Sequence, residues 1–131
     1  MPGTGNYLLD TNILILLLNG DASILDKASL ENELFVPVIA IGELLFGAER
    51  SSKPAANIKS VEELADRTSI LHCDTSVARH YGRIKNALKL QGTPIPENDI
   101  WIAAIASRWD LTLVTRDRHF EHVGGLHQTS W

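Results

Sequence analysis

The chain has 131 residues, 44% of them hydrophobic and 21% charged, with a formal net charge of -4. That length and apolar content suit a single globular domain spanning residues 1–131. The acidic balance excludes a broad positive field for attracting nucleic acid over distance, so any such binding has to be local or metal-assisted.

Met1 to Asn6 has no basic residue ahead of an apolar stretch and does not read as a secretory signal. Tyr7 to Asp10 reads as a short buried strand, and Thr11 to Asn12 as a polar turn opening an apolar helix through Ile13 to Leu18. That apolar run is far shorter than the roughly 20 residues that cross a bilayer, so no membrane span is expected. A second helix is predicted from Ala22 to about Asn32. Leu34 to Pro37 is an apolar run ended by proline, hence a strand, and Ile39 to Arg50 has helical character with no breaker before Gly47.

Ala55 to Arg67 reads as a polar surface helix and Ser69 to Cys73 as a strand. Cys73, the one cysteine, has no partner within the chain and is expected as a small buried hydrophobe in a reducing cytoplasm. Asp74 or Thr75 then caps a long helix whose core stripe is Val77, Tyr81, Ile84 and Leu88. After Pro94 and Pro96, the group Glu97, Asn98 and Asp99 opens a helix through Ile100 to Trp109, and Leu111 to Thr115 is a central-looking strand. Strand and helix alternate along most of the chain, which predicts an α/β fold with a mostly parallel sheet covered by helices on both faces. Such sheets place their sites at the carboxyl ends of strands.

Four acids stand out. Asp10 and Asp117 each follow a predicted strand and should emerge at the same rim of the sheet. Asp99 lies in the first turn of its helix, where the dipole alone is a sufficient reason for a carboxylate. Glu43 is harder to explain structurally: it stands in an apolar helix between Ala40 and Gly47 on the same face, with no lysine or arginine nearby in sequence. Were the four to converge, their repulsion would disfavour an empty site, and oxygen-only donors favour Mg²⁺ or Mn²⁺ over zinc or copper.

The segments LLDTNILI around Asp10, IGELLFGA around Glu43, NDIWIAAIA around Asp99 and LTLVTRDRHF around Asp117 resemble, in order, the PIN-domain ribonucleases, most closely VapC-type toxins. The resemblance covers nearly the whole chain. It implies a three-layer α/β/α fold and a cytoplasmic, Mg²⁺- or Mn²⁺-dependent endoribonuclease that leaves a 5′-phosphate and a 3′-hydroxyl. Asp10, Glu43, Asp99 and Asp117 are then its catalytic, metal-binding acids, with Asn12 and Thr115 as supporting polar residues. Many relatives carry asparagine where Asp117 stands, some with a further aspartate downstream, where this chain has His119. The resemblance also implies a homodimer held inactive by a small VapB-like antitoxin whose C-terminal segment enters the active-site groove.

Around those acids, Asn12 is expected to orient Asp10 or a metal-bound water, and Thr115 to hydrogen-bond to Asp117. Arg116, Arg50, Lys53, Arg79 and Arg83 are candidates for RNA phosphates. Arg79, Arg83 and Asn86 share one helix face, which reads as solvated surface or a dimer contact ahead of an RNA contact. His119 and His122, three apart with no cysteine or third histidine at matching spacing, read as surface histidines rather than a metal pair. Two other readings compete: a catalytically degenerate PIN module that binds RNA or a partner, and a haloacid-dehalogenase-like phosphatase. The latter requires a second aspartate two residues after the first, where Asn12 stands.

Overall fold

The structure, a computed structural model, describes residues 6–31 and 33–131. The expectation for Met1 to Gly5, and the far end of the second predicted helix at Asn32, lie outside the described residues. The elements run β1 (Tyr7–Leu9), α1 (Thr11–Leu18), α2 (Ala22–Ser29), β2 (Phe35–Pro37), α3 (Val38–Glu49), α4 (Pro54–Arg67), β3 (Ser69–Leu71), α5 (Thr75–Gln91), α6 (Glu97–Arg108), β4 (Thr112–Val114) and β5 (Gln128–Thr129), with a 3₁₀ segment at Arg118–His122. The strands form one sheet in the order β3-β2-β1-β4-β5, every pairing parallel.

Short strands suffice because the sheet is covered on both sides, so successive residues of the central strands β1 and β4 meet a core on opposite faces. Leu8 and Leu113, paired in register, face one layer with Val77, Leu88, Ile102, Ile105 and Phe120 from α5, α6 and the 3₁₀ segment. Leu9 and Val114, the next pair, face the other with Ile13, Ile24, Leu44 and Leu64 from α1 to α4. The period-2 alternation of a strand thus divides the chain into three layers, as the sequence predicts. Among the described residues no helix is long and apolar enough to cross a membrane.

Local chemistry explains the helix ends. Asp74 caps α5 by accepting from the Val77 N–H at 2.9 Å, and Gly92, at φ 72°, closes the same helix in the left-handed conformation that glycine tolerates. Pro54 opens α4, where its missing N–H costs nothing. Two elements beyond the prediction are the 3₁₀ segment and β5, both too short and polar to show a period. Cys73 is a correction: it is exposed rather than buried, because β3 lies at the sheet edge and ends at Leu71, two residues earlier.

Candidate metal centre

The chain winds outward from β1 to β2 and β3, then returns to lay β4 and β5 on the other side of β1. The reversal lies between β1 and β4, and a crevice opens there because the connections leave in opposite directions. Asp10 is the first residue beyond β1 and Thr115 the first beyond β4. The sheet ladder reaches to this level: the Asp10 N–H donates to the Val114 carbonyl at 3.0 Å.

Asp10 is only 4% exposed and Thr115 6%, the only buried polar side chains among the described residues. The Thr115 hydroxyl donates to Asp10 Oδ2 at 2.7 Å, and the Thr11 N–H donates to Asp10 Oδ1 at 2.8 Å. The Thr115 oxygen in turn accepts from the Asp117 N–H at 2.9 Å. Thr115 therefore serves Asp10 through its hydroxyl proton and Asp117 through the backbone, not the Asp117 carboxylate as expected. From α1, the Thr11 hydroxyl donates to Glu43 Oε1 on α3 at 3.3 Å.

On the other wall, Asp99 projects from the first turn of α6 and Asp117 caps the 3₁₀ segment by accepting from the His119 N–H at 2.9 Å. The His119 ring sits between them, with Nδ1 3.0 Å from Asp99 Oδ2 and 3.1 Å from Asp117 Oδ1. Phe120, fully buried, anchors this segment against α6.

The four acids act on one another. Burial pushes the Asp10 carboxyl above its usual range, and the charges of Asp99 and Asp117 add to this, against the hydrogen bonds from Thr115 and Thr11. Glu43 is raised by burial and by Asp10 and Asp99, against the Thr11 hydroxyl. Asp99 is raised by burial and by Asp117, against His119. His119 is itself raised, first by its hydrogen bond to Asp99. Among the described residues no lysine or arginine forms an ion pair with any of these acids. A half-buried, mutually repelling set of carboxylate oxygens is the donor chemistry that hard divalent cations satisfy, so the residues present fit such an ion.

The other expected residues stand apart. Asn12 makes no hydrogen bond to Asp10; its Oδ1 is closed off from solvent without a partner among the described residues. Arg116 directs Nε and Nη2 to the main-chain oxygen of Trp131, at 3.0 and 2.7 Å. Arg50 lies over the Phe46 ring, 5.7 Å from its centroid. Arg79 and Arg83 occupy exposed positions on α5, without an ion pair to the acids among the described residues. Sequence reasoning missed Thr11, whose signal was a hydroxyl directly after a strand-end aspartate, and it set His119 aside as surface. His119 is exposed, yet it is engaged with two of the acids. Beside Glu43 a groove of about 440 Å³ continues between α1, α3 and α4, lined by Thr11, Ile15, Leu18, Glu43, Gly47 and Asn57 among others.

The PIN domain family model matches residues 7–126. The tRNA(fMet)-specific endonuclease VapC of Shigella flexneri is 35% identical over 128 residues, covering 95% of this chain and 97% of its own. Ribonuclease VapC2 of Haemophilus influenzae is 39% identical with the same coverage. The crystal structure of DNA-bound VapBC from Salmonella typhimurium superposes with a TM-score of 0.92 at 32% identity, covering 98% of this chain and 99% of that one.

Proposed function

Since the chain belongs to the PIN-domain family, with VapC ribonucleases among its relatives, we propose that its acid-lined crevice is the active site of a toxin endoribonuclease that hydrolyses RNA phosphodiesters. The phosphatase alternative drops out with that membership. The observation that carries the reading is the convergence of Asp10, Glu43, Asp99 and Asp117, each of the first three held above its usual range by burial and by neighbouring acids. Acids grouped in this way with no lysine or arginine ion pair among the described residues do not stabilise a fold, and a degenerate binding module would have no use for them.

Asp10, Glu43, Asp99 and Asp117 would hold Mg²⁺ or Mn²⁺, which supplies activation of water and neutralisation of charge on the phosphate. The chain's own part is to aim the donors. Thr115 and Thr11 each engage one Asp10 oxygen, so the carboxylate cannot rotate. Thr11 also steadies Glu43, which would otherwise sample several rotamers along α3. Asn12, whose Oδ1 is buried without a partner among the described residues, is offered as a supporting residue two positions after Asp10. Arg116, Arg50, Arg79 and Arg83 are offered as RNA phosphate contacts, since the net charge of -4 demands local ones.

The relatives that form VapBC complexes point to a VapB-like antitoxin as partner, and the groove running from Glu43 between α1, α3 and α4 is the place for its C-terminal segment. A homodimer working on cytoplasmic RNA completes the reading. The test is cleavage of total cellular RNA, transfer RNA included, by the antitoxin-free protein with Mg²⁺ or Mn²⁺, beside Asp99→Asn. Discrete cuts that vanish in the variant and with chelator support the ribonuclease. Equal cutting by both proteins overturns the acid-site mechanism.

A further inference from the structure

His119 has no place in the four-acid scheme, yet it occupies the gap between two of those acids. Its Nδ1 lies 3.0 Å from Asp99 Oδ2 and 3.1 Å from Asp117 Oδ1, and each of the three residues offers a donor atom within 4.8 Å of the others. Donors at ~2.1 Å from one ion in adjacent octahedral positions stand about 3.0 Å apart, as 2.1 multiplied by the square root of two. The two separations from Nδ1 are those of ordinary hydrogen bonds and also match that spacing. Because it faces two carboxylate oxygens, which accept, Nδ1 meets them through the proton it carries. An ion between them would take the place of that proton, which leaves to solvent, and would meet the nitrogen lone pair.

Resting on the acid-site reading above, we propose that His119 is a nitrogen ligand of the cation shared with Asp99 and Asp117, and that it biases this chain toward Mn²⁺ over Mg²⁺. Mg²⁺ is served by oxygen donors, whereas first-row transition ions accept imidazole as well. The ring is held for the task from two directions. Its own backbone N–H is bound to Asp117 Oδ1 at 2.9 Å, and the following residue, Phe120, is buried in the core. The imidazole itself is half exposed, so its substitution leaves the packing intact. A residue serving only to balance acid charge would not distinguish one divalent ion from another.

The test is pulsed electron paramagnetic resonance of Mn²⁺ bound to the full chain, with Mn²⁺ and Mg²⁺ affinities measured by calorimetry. Wild-type protein should show nitrogen modulation from a directly bound imidazole, lost in a folded His119→Ala variant. The ratio of Mn²⁺ to Mg²⁺ affinity should fall about tenfold in that variant. His119→Asp should recover binding of both ions through an oxygen donor without recovering the preference. Saturable Mn²⁺ binding without nitrogen modulation, abolished by Asp99→Asn, would overturn the role of His119 and leave the acid site standing. Nitrogen modulation that survives His119→Ala would assign the ligand elsewhere and also overturn it. No saturable Mn²⁺ binding by the wild-type protein would remove both readings.

Discussion

The Thr115 hydroxyl donates to Asp10 Oδ2 at 2.7 Å, joining residues 105 apart in sequence at the one point where the sheet reverses direction. Both are buried, so neither group has water as an alternative partner. The threonine oxygen simultaneously accepts the Asp117 N–H, so a single side chain fixes a carboxylate from β1 and the chain path after β4.

Removing that hydroxyl should therefore cost stability as well as function. Thr115→Val keeps the shape but strips Asp10 Oδ2 of its donor and leaves the Asp117 N–H without its acceptor. A loss of about 1–3 kcal/mol is expected, with Thr115→Ser close to wild type. Denaturant unfolding of the three proteins decides it, and an unchanged midpoint in Thr115→Val would refute the bridging role.

Glu43→Gln should stabilise the metal-free protein. The change keeps an acceptor for Thr11 and removes a charge that Asp10 and Asp99 repel. A rise in Tm with chelator present is expected. Added Mn²⁺ should raise the wild-type Tm more than the variant's, because the variant lacks one anionic donor.

The same repulsion predicts a pH dependence. Asp10, Glu43 and Asp99 all have folded values raised above their ordinary ones. Stability from groups shifted in this direction is complete below the unfolded values and is lost as pH rises through the folded ones. With chelator present, these acids should make the fold lose stability as pH rises above the ordinary carboxylate range, and Glu43→Gln should flatten that slope. Unfolding free energies at a series of pH values provide the check.

Phe120→Ala tests how the second wall is built. The ring is fully buried and anchors the segment bearing Asp117 and His119. About 3–5 kcal/mol of stability should go with it. Divalent-cation affinity should weaken as well, since Asp117 and His119 lose their fixed separation from Asp99. Calorimetric titration at a temperature where the variant remains folded separates the two effects.

Much of the fold was legible in the sequence because its signals are local. The short, largely apolar runs at Tyr7–Leu9 and Thr112–Val114 mark buried strands, the stripe from Val77 to Leu88 carries the helical period, and Asp74 marks a cap. Glu43 could be singled out because an acid inside an apolar helix conflicts with local burial, whereas Asp10, Asp99 and Asp117 have ordinary local reasons and were marked only by the motifs around them. Local patterns also mislead when burial depends on position in the sheet. Cys73 follows an apolar strand, yet that strand lies at the edge, so the thiol is exposed.

Strand order, the crevice between β1 and β4, and the contacts that cross it were decided only by the tertiary structure. Thr115 serves Asp10 rather than the Asp117 carboxylate, Thr11 rather than Asn12 contacts the site acids, and Arg116 turns to the main chain of Trp131. His119 lies in an exposed polar segment with no period to mark it; its meaning comes from Asp99, brought beside it by α6 from twenty residues earlier. Sequence determines which residues favour burial, helix or strand, because those are properties of neighbours along the chain. Which acid meets which hydroxyl or imidazole is settled by packing, because parallel strands bring together ends that the chain itself keeps far apart.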